Sequence, residues 1–189
     1  EDTLIEEHIS GIPGDEFIET MLPNCTESEK SQIAKEFVKF NERCMIRLLG
    51  DMRSYNYVIV PTHDFDHVVY TIRAIDFDQQ CFEGKFNVYR PQFFKENFKM
   101  VDLVTEKFEK QSVNQYKLEE RSIVAKRLLS FKNRIYQLIQ CMISDTLSTE
   151  EHETLLKSKI FEYTGDIRFK NSKNMGEILK HTFDFVKRN

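Results

Sequence analysis

The sequence predicts an α+β fold that is mainly helical, and three observations indicate this class. Apolar residues recur at steps of three and four along several long segments, which is the period of an amphipathic helix. One pair of β-branched and aromatic runs lies near the first third of the chain and indicates a small β hairpin. The 189 residues contain no internal repeat and no low-complexity tract, so a single domain spanning residues 1–189 is expected.

The first long helix is predicted to begin at Thr26. The stretch TESE has the capping-box pattern, in which Thr26 accepts from a first-turn amide while Glu29 reaches back. One apolar face then predicts a helix of about six turns that ends near Leu49 and Gly50. The segment before it, residues 1–23, is expected to hold turns and a short helix around the breaker GIPGD. The apolar face consists of Ile33, Phe37, Phe40, Cys44 and Leu48.

The two strands of the hairpin are predicted in NYVIVP (residues 56–61) and HVVYTIRAI (residues 67–75). The polar stretch THDFD (residues 62–66) is expected to be the loop between them. A third short strand is predicted in FNVYRP, residues 86–91. The predicted order is therefore the long helix, a loop that carries Asp51, the two hairpin strands and a loop that carries Asp76.

The remainder of the chain is predicted to be helical, with apolar stripes that face the core. The stretch STEE at Ser148 predicts a second capping box ahead of a helix through Leu156 and Ile160. The first stripe consists of Phe94, Phe98, Val101, Thr105 and Phe108. A longer stripe consists of Val124, Leu128, Phe131, Ile135, Leu138 and Met142. The last helix presents Met175, Leu179, Thr182 and Val186.

Composition gives no sign of a nucleic-acid or membrane partner. The net charge is −4 with both signs mixed, no basic block is present, and no apolar run approaches the ~20 residues that span a bilayer. The four cysteines show no zinc-ligand spacing, and reduced thiols in the cytoplasm are expected. The chain opens with EDTLIEEHIS, which is not a signal peptide and lacks an initiator Met, so a processed or truncated piece is expected.

Two short stretches place oxygen-bearing side chains where strands meet loops. In DMRSYN, Asp51 can orient a hydroxyl nucleophile, Arg53 can neutralise a phosphoryl group, and Asn56 offers a hard amide oxygen suited to Mg²⁺. In IDFD, Asp76 follows the second strand of the hairpin. Because the start of one hairpin strand lies beside the end of the next, Asn56 and Asp76 should converge and form a divalent-metal site.

These stretches resemble two motifs of the protein-kinase-like superfamily. DMRSYN resembles its catalytic loop, and IDFD resembles its metal-binding loop in the form found in the aminoglycoside-phosphotransferase and choline-kinase enzymes. The resemblance covers residues 26–78 closely. It implies the C-terminal lobe of an ATP-dependent phosphotransferase, with Asp51 and Arg53 catalytic, Asn56 and Asp76 binding nucleotide and Mg²⁺, and Asp78 assisting the metal.

The resemblance also implies partners and leaves alternatives open. Residues 1–50 are neither glycine-rich nor strand-like, so the nucleotide-binding N-terminal lobe is expected elsewhere, on the same or a separate polypeptide. The phosphate acceptor would be a hydroxyl-bearing small molecule or protein. The alternative function is a non-catalytic protein-interaction module, either kinase-like or an unrelated helical domain.

Two further features have competing interpretations. The stretch HDFDH offers His63, Asp64, Asp66 and His67 as transition-metal ligands, but a solvated hairpin tip is the preferred interpretation. Cys81 is either a reactive thiol close to a nucleotide pocket or a buried, inert cysteine, and the second is preferred.

Overall fold

The protein folds into a small antiparallel sheet surrounded by helices, as seen in a computed structural model that describes residues 10–65 and 67–188. The mainly helical α+β class predicted from the sequence is confirmed. The described strands are β1 (Ile12–Pro13), β2 (Tyr57–Asp64) and β3 (His67–Ala74). The described helices are α1 (Gly14–Glu16), α2 (Glu27–Arg47), α3 (Phe98–Lys107), α4 (Lys110–Ser130), α5 (Lys132–Ser144), α6 (Glu150–Thr164), α7 (Ile167–Lys170) and α8 (Met175–Val186).

Helix α2 confirms the predicted start and the predicted apolar face. The Glu29 amide donates to Thr26 Oγ1 at 3.3 Å, and the Thr26 amide donates to Glu29 Oε2 at 2.8 Å. All members of the predicted face are buried, from Ile33 to Leu48. The helix ends at Arg47, because Leu48 takes a left-handed conformation with φ 47° and turns the chain toward the loop that precedes β2.

The hairpin is longer than predicted, because β2 continues into the stretch expected to be a loop. Strand β2 runs through Asp64, which pairs with His67 of β3, so residues 62–64 belong to the strand. Phe65 lies in the turn, and Asp66 lies outside the described residues. Pro61 is tolerated within β2 because, within the described residues, β1 pairs only with Val58 and Ile59 and does not reach this part of the edge.

The third strand lies at a different place in the chain from the one predicted. The prediction of a strand in FNVYRP is wrong, because Phe86–Tyr89 and Pro91–Phe93 form 3₁₀ turns. The observed third strand is β1, within the predicted breaker GIPGD. The breaker has a packing role: a Cβ at Gly14 would collide with the Tyr57 ring and with the Ser54 carbonyl.

Side chains of α2 cover the outer edge of β3. The amide of Tyr70 donates to Gln32 Oε1 at 3.2 Å, and the amide of Ile72 donates to Glu36 Oε1 at 3.0 Å. Arg43 donates to the Ile72 carbonyl at 3.2 Å. The backbone groups of an edge strand are thereby satisfied without another strand, and α2 is fixed against the hairpin.

The two apolar stripes predicted after Pro91 are only partly correct. In α3 the buried residues are Met100 and Leu103, and Phe98 of the predicted stripe is exposed, whereas its members Val101 and Phe108 pack partly buried against the core. The longer stripe is interrupted at Phe131, where α4 ends and α5 begins. After the interruption, Ile135 and Met142 pack against the core as predicted, whereas Leu138 is exposed and its neighbour Ile139 is buried instead.

The predicted position of the second helix cap is wrong by one residue. Thr149, not Ser148, caps α6 by accepting from the His152 amide at 3.2 Å. The Ser148 hydroxyl instead donates to the Phe82 carbonyl. The predicted helix through Leu156 and Ile160 is nevertheless present as α6, and the final predicted helix is present as α8.

Helix α2 connects two hydrophobic clusters. Its residues Phe37 and Phe40 pack with the sheet and α3, whereas Met45 and Ile46 pack with the later helices. The loop after α2 therefore leaves from the junction of both clusters. Among the residues that the structure describes, no helix has the length and apolar character needed to cross a bilayer.

Candidate functional site

The loop between α2 and β2 holds Asp51 in a strained and well-anchored conformation. Asp51 has φ 54°, which is uncommon for a residue other than glycine. Its amide donates to the Val88 carbonyl at 3.1 Å, and its own carbonyl accepts from the Arg53 amide at 2.8 Å. Strained residues of this kind cluster at active sites, so the conformation is a reason to examine Asp51 as a functional group.

Arg53 connects two carboxylates. Its Nε donates to Asp51 Oδ1 at 2.9 Å, and its Nη1 donates to Glu96 Oε1 at 3.0 Å. The hydrogen bond to Asp51 is the largest cause of the raised pKa of Arg53. The guanidinium also lies over the Phe94 ring, 5.1 Å from its centroid. The guanidinium therefore fixes one oxygen of Asp51 and leaves Oδ2 available to another partner.

Asn56 lies against Asp51. Its Nδ2 donates to the Asp51 carbonyl oxygen at 2.7 Å and approaches Asp51 Oδ2 at 3.5 Å. The amide donor is therefore used within the loop. No hydrogen bond to Asn56 Oδ1 occurs within residues 10–65 and 67–188, so this oxygen remains an acceptor for an external group.

Asp76 reaches the same end of the hairpin through the backbone. The Ile75 amide donates to the Asn56 carbonyl at 3.1 Å, so the residue before Asp76 is bonded directly to Asn56. Asp76 Oδ1 accepts from the Asp78 amide at 3.0 Å. Within the described part of the chain, no hydrogen bond joins the carboxylate of Asp76 or Asp78 to the side chain of Asp51 or Asn56.

The predicted residues thus fall into two groups. Asp51, Arg53 and Asn56 are in direct contact, whereas Asp76 and the exposed Asp78 form a separate turn that backbone pairing brings alongside. The backbone convergence predicted for the start of β2 and the end of β3 is present.

The chemistry of the oxygen donors fits a weakly held Mg²⁺ ion. No cluster of three or more His, Cys, Asp or Glu side chains suited to a metal occurs among the described residues. The candidate set instead combines the Asn56 amide oxygen with the carboxylates of Asp76 and Asp78. Mg²⁺ is commonly held by one or two carboxylates, with water and substrate phosphates completing the shell, so a protein cage is not required.

Sequence inspection missed two residues that support the loop. Glu96 is the second partner of Arg53, and its Oε2 is buried without a hydrogen-bond partner in the described part of the protein. Asn97 is fully buried: it donates to the Met52 and Pro91 carbonyls at 2.9 and 2.8 Å and accepts from the Tyr57 hydroxyl at 2.9 Å. Neither residue belongs to a motif, so no local signal could have identified them.

The structure also bears on the two competing interpretations. Cys81 is 1% exposed, and burial raises its pKa to about 12, which agrees with an inert cysteine. In HDFDH, Asp66 lies outside the described residues, while His63 and Asp64 are exposed at the end of β2.

Comparison with known proteins gives no relative from which a function could be transferred. No protein-family model, no curated protein and no solved structure matches the chain. The site must therefore be interpreted from its own geometry and chemistry.

Proposed function

We propose that this chain is the C-terminal lobe of a kinase-like phosphotransferase, which transfers phosphate from ATP to a hydroxyl acceptor. The observation that carries the proposal is the contact between Asn56 Nδ2 and the Asp51 carbonyl at 2.7 Å. This contact holds the two residues of the proposed catalytic-loop motif together, and it leaves Asn56 Oδ1 without a hydrogen-bond partner in the described part of the chain.

Asp51 would act as the base for the acceptor. Arg53 holds Oδ1, so Oδ2 is the oxygen that would accept a hydrogen bond from the incoming hydroxyl. As the acceptor oxygen bonds to the γ-phosphorus and the bond to the ADP oxygen breaks, the hydroxyl proton would pass to Asp51. The left-handed backbone of Asp51 keeps the carboxylate at a fixed position for this transfer.

Asn56 and Asp76 would hold Mg²⁺, with Asp78 assisting. A bound Mg²⁺ would neutralise charge on the β- and γ-phosphates of the nucleotide. The chain contributes a neutral amide oxygen from the residue just before β2 and carboxylates from the turn after β3. The hydrogen bond between the Asp78 amide and Asp76 Oδ1 orients the Asp76 carboxylate and leaves Oδ2 for the ion.

Arg53 would have a double role. Two of its nitrogens are used on Asp51 and Glu96, so contact with a transferring phosphoryl group would come from Nη2. The nucleotide-binding lobe would be supplied by the same or a separate polypeptide. The acceptor would be a small molecule or a protein that carries a hydroxyl group.

A second candidate is a non-catalytic protein-interaction module. It is favoured by several large apolar side chains that stay exposed around the junction of α4 and α5, since exposed apolar patches commonly mark contact surfaces. In this case Asp51, Arg53 and Glu96 would form only a structural ion-pair network. The exposed side chains are Leu129, Phe131, Tyr136 and Leu138.

Two measurements distinguish the two candidate functions: nucleotide binding and phosphate transfer. Both use the full-length protein, including its nucleotide-binding lobe. We expect Asp76→Asn to abolish Mg²⁺-dependent ATP binding. We expect Asp51→Asn to retain ATP binding and to transfer phosphate at least about 100-fold more slowly, because the base is lost. Asp145→Asn, a change at an exposed turn, is the matched control. Unchanged ATP binding in Asp76→Asn would contradict the metal assignment, and absence of any ATP binding would favour the interaction module.

A further inference from the structure

A cleft separate from the candidate catalytic loop lies between α2, β3 and α4. Its volume is about 490 Å³, and none of the five candidate site residues lines it. The outer edge of β3 and the facing sides of the two helices form its walls. This size lies within the range of small-molecule sites.

The cleft is strongly positive, although the chain as a whole carries a net charge of −4. Five cationic side chains line it, against two carboxylates. Charges of one sign in a cleft concentrate the electrostatic field and attract ions of the opposite sign. The cations are Lys39, Arg43, Arg47, Arg73 and Arg127, and the carboxylates are Glu36 and Glu120.

Only some of these cations are neutralised. Arg43 is bound by both carboxylates of the cleft, at 2.6 Å to Glu36 and 3.3 Å to Glu120. Lys39 pairs with Glu119 at 3.1 Å. Both carboxylates that line the cleft are thus paired with Arg43, so the positive charge that is not neutralised belongs to the other arginines.

Three arginines are left without a carboxylate partner in the described part of the chain: Arg47, Arg73 and Arg127. Desolvation lowers the pKa of Arg47, and the nearby Arg43 charge lowers it further. The Phe77 ring lies 5.8 Å from the Arg47 guanidinium and, with Ile123, provides an apolar wall. Low-dielectric walls strengthen the attraction between these cations and an anion.

We propose that this cleft binds a small molecule that carries a phosphate or diphosphate group, held by Arg47, Arg73 and Arg127. A carboxylate bears one charge and is satisfied by one guanidinium, whereas a phosphate group bears more charge and offers three terminal oxygens. Three guanidiniums around one cleft therefore match phosphate better than carboxylate. The inference does not depend on the proposed kinase-like function, because no candidate catalytic residue takes part.

The experiment measures binding of inorganic pyrophosphate to the 189-residue chain by titration calorimetry. EDTA is present throughout, so that a metal-dependent site cannot contribute. We expect saturable binding that weakens as salt is raised, because the contacts are ionic. The double change Arg73→Gln and Arg127→Gln should weaken binding by at least about tenfold, since each removes a charge-assisted contact.

Arg134→Gln is the matched control, since it removes an exposed arginine of α5 that does not line the cleft. We expect this variant to bind pyrophosphate as the unmodified chain does. Both altered cleft arginines are exposed, so the variants should fold, and thermal unfolding checks this. The proposal is overturned if pyrophosphate does not bind saturably, or if the cleft variant and Arg134→Gln lose affinity equally.

Discussion

The side-chain amide of Asn56 donates to the backbone carbonyl of Asp51 at 2.7 Å. This contact joins the start of β2 to a residue with a left-handed backbone, and it leaves the amide oxygen of Asn56 unoccupied. Arg53 closes the same loop from the other side and ties it to Glu96, 43 residues further along the chain. The candidate catalytic loop is therefore held both by local contacts and by contacts with residues far along the chain.

The first prediction concerns the charge that the loop tolerates at position 56. Asn56→Asp replaces a donor by a carboxylate beside the Asp51 carbonyl and carboxylate, so it should destabilise the fold by about 1–3 kcal/mol at neutral pH. Protonation of the introduced carboxylate relieves the repulsion, so the loss should shrink as the pH is lowered toward about 4. Urea unfolding at neutral pH and at about pH 4 measures this loss of stability.

Asn87→Asp is the matched control for this change. Asn87 is exposed, and its side chain makes no hydrogen bond within the described residues, so the added charge should cost little. An equal loss of stability in the two variants would show that Asn56 does not hold Asp51 as described.

The second prediction concerns the order in which the four cysteines react. Burial raises the pKa of Cys44 and of Cys81 to about 12, whereas Cys141 is exposed. Since the thiolate is the reacting form, iodoacetamide should label Cys141 first and Cys25, which is partly buried, more slowly. Peptide mass spectrometry after timed labelling gives the order.

Labelling in urea provides the control, because all four thiols should then react at similar rates. Native labelling of Cys81 at the rate of Cys141 would restore the interpretation of Cys81 as a reactive thiol beside a nucleotide pocket.

The part of the fold that the sequence predicts best is the part built from local interactions. The Thr26 capping box and the buried face of α2 depend on residues three and four apart, so they can be identified by inspection. The pairing of β2 with β3 is also local, because the hairpin connects neighbouring runs. The same holds within the site for the contact between Asp51 and Asn56.

The parts that could not be predicted depend on contacts between distant residues. Strand β1 has two residues and exists only because β2 offers an edge to pair with. Asn97 supports the loop between α2 and β2 from 45 residues away, and no motif marks it. No glycine or proline marks the break between α4 and α5 at Phe131, and the predicted stripe residues Phe131 and Leu138 are exposed there.

The third prediction concerns acid stability at the start of α7. The hydrogen bond from Arg168 is the largest cause that lowers the pKa of Asp166, from 3.8 to about 2. Because the pKa is lower in the folded state, the stabilisation is complete above about pH 5 and disappears as the pH falls toward 2. Asp166→Asn should therefore cost about 1 kcal/mol at neutral pH, since partial exposure screens the pair, and progressively less in acid.

Urea unfolding between about pH 5 and pH 2.5 measures this change, with Asp145→Asn as the control for loss of an exposed carboxylate at a turn. A difference between Asp166→Asn and the unmodified chain that stays constant over this range would mean that the ion pair does not form.

The last prediction sets helix propensity against packing at Gly176, in the first turn of α8. Replacing a helical glycine by alanine normally stabilises a helix by up to about 1 kcal/mol. At this position, however, a Cβ would lie 2.6 Å from backbone atoms of Met142 and Ile143 in α5. Backbone atoms cannot move aside as a flexible side chain can, so overpacking should cost about 1–3 kcal/mol and prevail over the gain in propensity.

Gly176→Ala should therefore lower the free energy of unfolding, and Ser122→Ala serves as the control for propensity at an exposed position of α4. The control should be neutral or slightly stabilising, because alanine has the higher helix propensity and Ser122 is exposed. Chemical denaturation of both variants compares the two effects. If Gly176→Ala were as stable as the unmodified chain, α5 and α8 could not be packed as closely as the structure places them, and the cluster that positions the C-terminal end of α2 would have to be rearranged.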